Sequence, residues 1–192
     1  MPSTEKEKML AGEPYAAFDP ELDAMRRHAF SATLRFNTTG DPAHLADLFG
    51  RSFAGLKLLP PFHCDYGENI RLGHNVFVNF NAGMLACAPI EIGDNCYIGP
   101  NVQLYTAIHP LDPEERRQGI NLAKPIRIGA DCWIGGGVIV LPGVEIGEGS
   151  TIGAGSVVTR SIPPRSVAAG NPCRVLRRLP EATGIPTEAS RE

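Results

Sequence analysis

From Ile126 to Ile162 apolar residues return every six positions: Ile128, Ile134, Val140, Ile146, Ile152 and Val158 keep one phase without slipping. Two residues before each stands a second apolar or small side chain, in order Ile126, Cys132, Val138, Val144, Ser150 and Ser156. Three residues after the first five come Asp131, Gly137, Gly143, Gly149 and Gly155. A period of six matches neither the 3.6 of an α-helix nor the 2 of a lone strand. It marks one structural unit stacked on itself. Positions two apart share one face of a short extended segment, and the Asp/Gly slot is where the backbone turns with φ > 0. The pattern predicts a solenoid of parallel β-sheets whose coils bury their apolar faces on one another. Three hexads close one triangular coil, and coils lie roughly 4.8 Å apart.

The same slots extend upstream. Leu72 and Val78 are hexad positions with Asn75 and Asn81 in the turn slot. The phase slips by two residues around Met84–Ile90, then resumes with Ile92, Ile98 and Leu104, followed by Asn95 and Asn101. Between Tyr105 and Lys124 the rhythm stops. A gap of that size far exceeds the usual connection of about 4–6 residues, and long loops tend to carry function. Thr106-Ala107-Ile108-His109-Pro110 is neutral and rather apolar, which suits packing, whereas 112–118 is charged and suits solvent.

Before the repeats, residues 1–19 read as a polar leader. Leu22, Met25, Ala29, Ala32, Leu34 and Phe36 fall on one helical stripe across 20–38, with Asp19 as N-cap and Pro20 at the first helical position. A second helix is predicted at about 42–50, opened by Asp41-Pro42. Such short helices suit a cap over the first open coil, whose edge would otherwise expose unpaired strands. The expected organisation is one structural domain: a helical cap at 1–60, a β-helix at 61–162 with an extruded loop at 105–124, and a C-terminal tail at 163–192, frayed over its last dozen residues.

Composition narrows the function. The 192 residues are 43% hydrophobic and carry a net charge of −3, which fits one globular domain and argues against nucleic acid as partner. No apolar run reaches a membrane span, and the N-terminus lacks the apolar core of a signal peptide; a soluble, cytoplasmic protein is expected. The five cysteines include no C-x-x-C pair, so neither a disulfide framework nor a zinc site is indicated. Cys96 and Cys132 fall on inward hexad positions as reduced core residues. From Arg160 to Leu179 there are five arginines and no acid, a basic stretch in an acidic chain.

Several motifs go beyond the bare period. They are Thr106-Ala107-Ile108-His109-Pro110-Leu111-Asp112-Pro113, Trp133-Ile134-Gly135-Gly136, Gly170-Asn171-Pro172-Cys173-Arg174-Val175, the opening from Glu5 to Glu13, and Cys64-Asp65-Tyr66-Gly67. Together they resemble the hexapeptide-repeat O-acetyltransferases, and among them the maltose/galactoside branch, which includes nodulation-type acetyltransferases. The resemblance spans nearly the whole chain. It implies a single-stranded left-handed parallel β-helix with short N-terminal helices and an extruded loop, assembled as a homotrimer with active sites between subunits. The implied reaction is direct transfer of the acetyl group of acetyl-CoA to a sugar hydroxyl, with no metal.

That chemistry needs a base poised near neutrality, donors for a developing oxyanion, and cations for the CoA phosphates. Imidazole fits the first need, and the resemblance places the catalytic base at His109. His28, His44, His63 and His74 are its competitors. The resemblance also implies acceptor contacts at Asn79 and Asp65, with Asp19 near a third. Asn79 read alone could bond its own turn, and Asp65 could be a solvated or turn carboxylate. For CoA it implies Gly136, Ala154, Thr159, Arg160, Arg174 and Arg177, with Trp133 as a wall of the site or an interface filler. Departures stand out. Ala17 replaces an acceptor-binding acid, Met84-Leu85-Ala86-Cys87 lacks another, and Gly136 stands where a relative carries Ser. The acceptor could therefore be an amine, serine or a xenobiotic hydroxyl. Further from this reading lie a γ-type carbonic anhydrase, for which the histidines lack ligand spacing, and a non-catalytic scaffold.

Overall fold

The computed structural model of the chain describes residues 3–180. The stretch expected as a polar leader contains a helix, α1 (Glu5–Ala11). Its cause is a capping box: the Glu7 amide donates to Thr4 Oγ1 at 3.1 Å while the Thr4 amide donates to Glu7 Oε2 at 2.8 Å. α2 (Pro20–Thr39) begins as expected, with Asp19 accepting from the Glu21 and Leu22 amides. α3 (Ala43–Phe49) follows, with Asp41 accepting from the Ala43 amide at 2.9 Å. Leu22, Ala29, Phe36, Leu48 and Phe49 are buried in one core with Phe62 of the first coil. The Asn37 side chain pairs with both backbone groups of Phe62 at 2.8 Å, which fastens α2 to the solenoid.

The solenoid is a three-sided prism of parallel sheets. The first face stacks Lys57–Leu58, Phe77–Val78, Tyr97–Ile98, Trp133–Ile134, Thr151–Ile152 and Ser166–Gly170. The second stacks Phe62–Cys64, Ala82–Leu85, Gln103–Tyr105, Ile139–Val140 and Val157–Val158. The third stacks Ile70–Leu72, Ile90–Ile92, Ile126–Ile128 and Glu145–Ile146, and a bridge to Ile162 extends it. Every one of the nine turn-slot residues, from Asn75 at φ 55° to Gly155 at φ 70°, has positive φ. The inward residues of the hexads are buried, and Cys96 and Cys132 lie among them as free thiols.

The strands exceed the expected limits at both ends. Lys57–Leu58 already pairs in register with Phe77–Val78, inside the stretch assigned to the helical cap. Beyond Ile162, Ser166–Gly170 continues the first face, and Cys173–Arg178 folds back on it antiparallel. This added strand covers the last coil. The expected fraying falls at 181–192, outside the described residues.

The interruption at 105–124 is ordered. Ala107–Ile108 and Ile120–Ala123 pair as an antiparallel hairpin, with α4 (Pro113–Arg117) between them. Tyr15–Ala16 adds as a third strand, with Tyr15 opposite Asn121. The Ala17 amide continues the pairing to the Gly119 carbonyl at 3.0 Å. Nothing in the linear pattern marks a strand of two residues. Among the described residues no helix is long and apolar enough to cross a membrane.

Candidate active site

Departures from the six-residue period all fall at one corner of the prism, between the second and third faces. Inward residues run Ile134, Val140, Ile146 and Ile152 at even spacing, but the coil before the hairpin runs Val78, Met84, Ile92, Ile98. Two extra residues therefore sit between Met84 and Ile92, and the hairpin leaves between Leu104 and Ile128, at the same corner one coil on. Stacked there are Asp65, then Ala86 and Cys87, then Thr106. The Ala86 amide donates to Asp65 Oδ1 at 2.6 Å, and the Cys87 thiol lies 3.5 Å from Asp65 Oδ2. Thr106 is fully buried; its hydroxyl donates to the Leu85 carbonyl at 2.7 Å and accepts from the Ala88 amide at 3.0 Å. Thr106 thus pins the base of the hairpin, and the strand that follows it ends next to His109. His109 is exposed, and among the described residues no hydrogen bond restrains its ring. Thr159 and Arg160, both exposed, leave the last strand of the second face at this same corner.

The other edge of the second face carries a different set. Asn79, Gly99, Gly135 and Gly153 lie in one column, each donating its amide to the coil beyond at 2.8–2.9 Å. Asn79 Oδ1 also accepts from the Phe80 amide at 2.8 Å, so the local bond is made. Gly136 and exposed Ala154 follow in this column, with Ala169 packed beside Gly153. Ala169 pairs with Arg174, and Val167 with Arg177. Trp133 and Arg177 share an outward row on the first face through Thr151 and Val167, and the Trp133 ring is 59% exposed. Arg160, Arg174 and Arg177 form no ion pair among the described residues. Gly136, Ala154, Arg174, Trp133 and Arg177 thus lie along the later coils of the first face and its corner with the second. His109 is joined to none of them by a hydrogen bond. Asp19 is half-buried, and its Oδ1 caps α2, accepting from the Glu21 amide at 2.9 Å.

Three family signatures match: "Maltose acetyltransferase hexapeptide capping motif" over 8–52, "Hexapeptide repeat of succinyl-transferase" over 67–106, and "Bacterial transferase hexapeptide (six repeats)" over 125–160. Nodulation protein L of Rhizobium meliloti (strain 1021) is 51% identical over 181 residues, covering 91% of this chain and 99% of that protein. The chain belongs to the hexapeptide-repeat acetyltransferases. A maltose O-acetyltransferase from Clostridium difficile 630 superposes on it with a TM-score of 0.91 at 46% identity, covering 93% of this chain and 99% of that one. A hexapeptide-repeat acetyltransferase of Vibrio cholerae O1 biovar eltor, complexed with acetyl coenzyme A, does so at 0.87 and 42% identity, covering 93% and 100%.

This acetyltransferase has a cavity of about 350 Å³ on its second face, between α2 and the early coils. Asp65 and His63 line it beside Phe30, Met84, Leu85 and Tyr105. Burial pushes the Asp65 carboxyl above its ordinary range, against the opposing bonds from Ala86 and Cys87. Behind Asp65 the Cys87 thiol is pushed up to about 12, first by burial and then by the Asp65 charge. Burial also pushes the Tyr66 hydroxyl up to about 12; Arg26 bonds to it and opposes that shift. Sequence reasoning missed Tyr15, Arg26, Tyr66 and the wall formed by Phe30 and Tyr105. The two-residue slip, the gap at 105–124 and Asp65 itself were the signals that pointed to this corner. Among the described residues no three His, Cys, Asp or Glu side chains gather to hold a metal.

Proposed function

We propose that the chain transfers acetyl from acetyl-CoA directly to the hydroxyl of a sugar-like acceptor, with His109 as general base. One observation carries this. The ordered hairpin that presents His109 leaves the prism at the corner that holds Asp65, beside a cavity of ligand size. The other edge of the second face suits the donor, with Arg160 reaching from the corner of His109. Side-chain-free Gly136 and exposed Ala154 allow close approach of an extended arm, while Arg160, Arg174 and Arg177 offer charge-assisted bonds to phosphates. When bound, acetyl-CoA supplies an activated thioester. As the acceptor oxygen bonds to the acetyl carbon and the thioester C–S bond breaks, His109 takes the hydroxyl proton and passes it to the departing CoA sulfur, and Asp65 and Asn79 orient the acceptor. The hairpin that leaves the prism and the exposed Trp133 favour completion of each site by a neighbouring copy in a homotrimer. Five free thiols suit a reducing, cytoplasmic setting.

A second reading keeps the donor and changes the acceptor to a non-sugar hydroxyl or amine. The apolar cavity wall of Phe30, Met84 and Leu85 favours it. Thiol release from acetyl-CoA over a panel of sugars, serine, amines and antibiotics separates the two. His109→Ala is expected to slow transfer at least about a hundredfold with assembly unchanged. A near-normal rate in that variant removes His109 from the mechanism.

A further inference from the structure

We propose that Cys87 is a positioning residue: its thiol fixes the second oxygen of the Asp65 carboxylate. The thiol thereby sets how Asp65 meets the acceptor. This rests on the reading of Asp65 as an acceptor contact.

The geometry forms a chain of contacts. Asp65 Oδ1 is held by the Ala86 amide at 2.6 Å, which fixes one oxygen but leaves the carboxylate free to pivot. The Cys87 thiol, 3.5 Å from Oδ2, stops that pivot. Cys87 is 6% exposed and Tyr15 2%, and Tyr15 lies opposite Asn121 in the added strand. Asn121 belongs to the returning strand of the hairpin that presents His109. A thiol suits this place. It can donate to Asp65, whereas a carboxylate there would set two negative charges against each other.

The other titratable groups facing Asp65 are Cys64 and Tyr66 from its own segment, with His63 and Tyr105 across the shared cavity and Arg26 of α2 reaching it through Tyr66. Arg26 lies over the Tyr66 ring, 5.7 Å from its centre, and also pairs with Asp23. Its charge is therefore shared, and Cys87 remains the side-chain donor to Asp65 Oδ2. Removing that donor withdraws a bond made to the charged form. The Asp65 carboxyl should then titrate at higher pH, and acceptor binding should weaken while the donor site is untouched.

The experiment compares Cys87→Ala and Cys87→Ser with wild type. Steady-state kinetics are run on the best acceptor of the panel, and the Asp65 carboxyl is titrated by 13C NMR without acceptor. Cys87→Ala should raise the acceptor KM about tenfold and leave kcat and the acetyl-CoA KM within about twofold. Cys87→Ser should restore the acceptor KM to within about threefold, because a hydroxyl also donates. The Asp65 titration should move up in the Ala variant and return toward wild type in the Ser variant. An unchanged acceptor KM overturns the proposal, as does an equal loss in both variants with a matching fall in thermal stability. If wild type transfers acetyl to nothing in the panel, the functional reading fails; the NMR titration then decides the positioning claim alone, and an unmoved Asp65 overturns it.

Discussion

Three consecutive glycines at the corner between the first and second faces should respond to the same added methyl in three different ways. A Cβ on Gly135 would lie 2.6 Å from the Ala154 nitrogen, 2.8 Å from the Ile152 oxygen and 2.9 Å from the Ala154 Cα. All three are backbone atoms of the next coil, held there by the 2.8 Å bond from the Gly135 amide to the Ile152 carbonyl. No rotamer relieves the overlap, so the coils must part locally. Overpacking costs about 1–3 kcal/mol, and a weakened ladder bond adds about 1 kcal/mol. Gly135→Ala should therefore lose about 2–4 kcal/mol. A Cβ on Gly137 meets nothing closer than 3.9 Å, but φ there is 69°; the cost is the left-handed conformation alone, about 1 kcal/mol. A Cβ on Gly136 sits at 3.3 Å from Pro100, mostly its ring, with no positive φ, and should cost within about 0.5 kcal/mol. That variant should instead raise the acetyl-CoA KM, because the methyl intrudes where the donor arm approaches. Urea midpoints at one fixed protein concentration, with acetyl-CoA KM values alongside, read all three. If Gly135→Ala unfolds with wild type, or Gly136→Ala unfolds first, backbone stacking does not set the coil spacing.

Two other outcomes follow from the second corner. Thr106→Val keeps the shape but removes the hydroxyl bonded to Leu85 and Ala88; it should cost about 1–3 kcal/mol and lower kcat more than it changes the acetyl-CoA KM, because the hairpin base loosens. A kcat equal to wild type would free the hairpin from Thr106. Asp65→Asn tests the buried carboxyl through pH. The native pKa is raised, so above the unfolded value of about 4 the native state holds its proton longer, and wild-type stability falls as pH climbs through the raised value. The Asn variant should gain on wild type across that window and then hold its advantage; a difference in urea midpoints that does not vary with pH contradicts this.

The prism was legible because its interior and its turns both restrict residue choice. Nine slots spaced by hexads held only Asn, Asp and Gly, and all nine proved to have positive φ. The helix after Asp19 was equally plain, since a cap, a proline and an apolar stripe agree there. α1 was legible too, in Thr4-Glu5-Lys6-Glu7, but the polar character of the segment hid it. What the chain did not disclose lies in contacts between distant segments. Tyr15 meets Asn121, and Asp65 meets Ala86 and Cys87, through pairs that no local period relates.

The slip around Met84–Ile90 and the gap at 105–124 looked like separate faults in the sequence. They stack in one column because extra residues must leave a triangular coil at a corner, where they cost no inward position. Successive coils that bulge at the same corner also support each other's excess chain, as Thr106 does for Leu85 and Ala88. A bulge at the glycine column would meet backbone of the next coil at once, at distances such as the 2.6 Å found beside Gly135. That asymmetry explains why Asp65 and His109 share one edge of the second face, while the other edge keeps a strict period and presents a smooth, side-chain-poor groove.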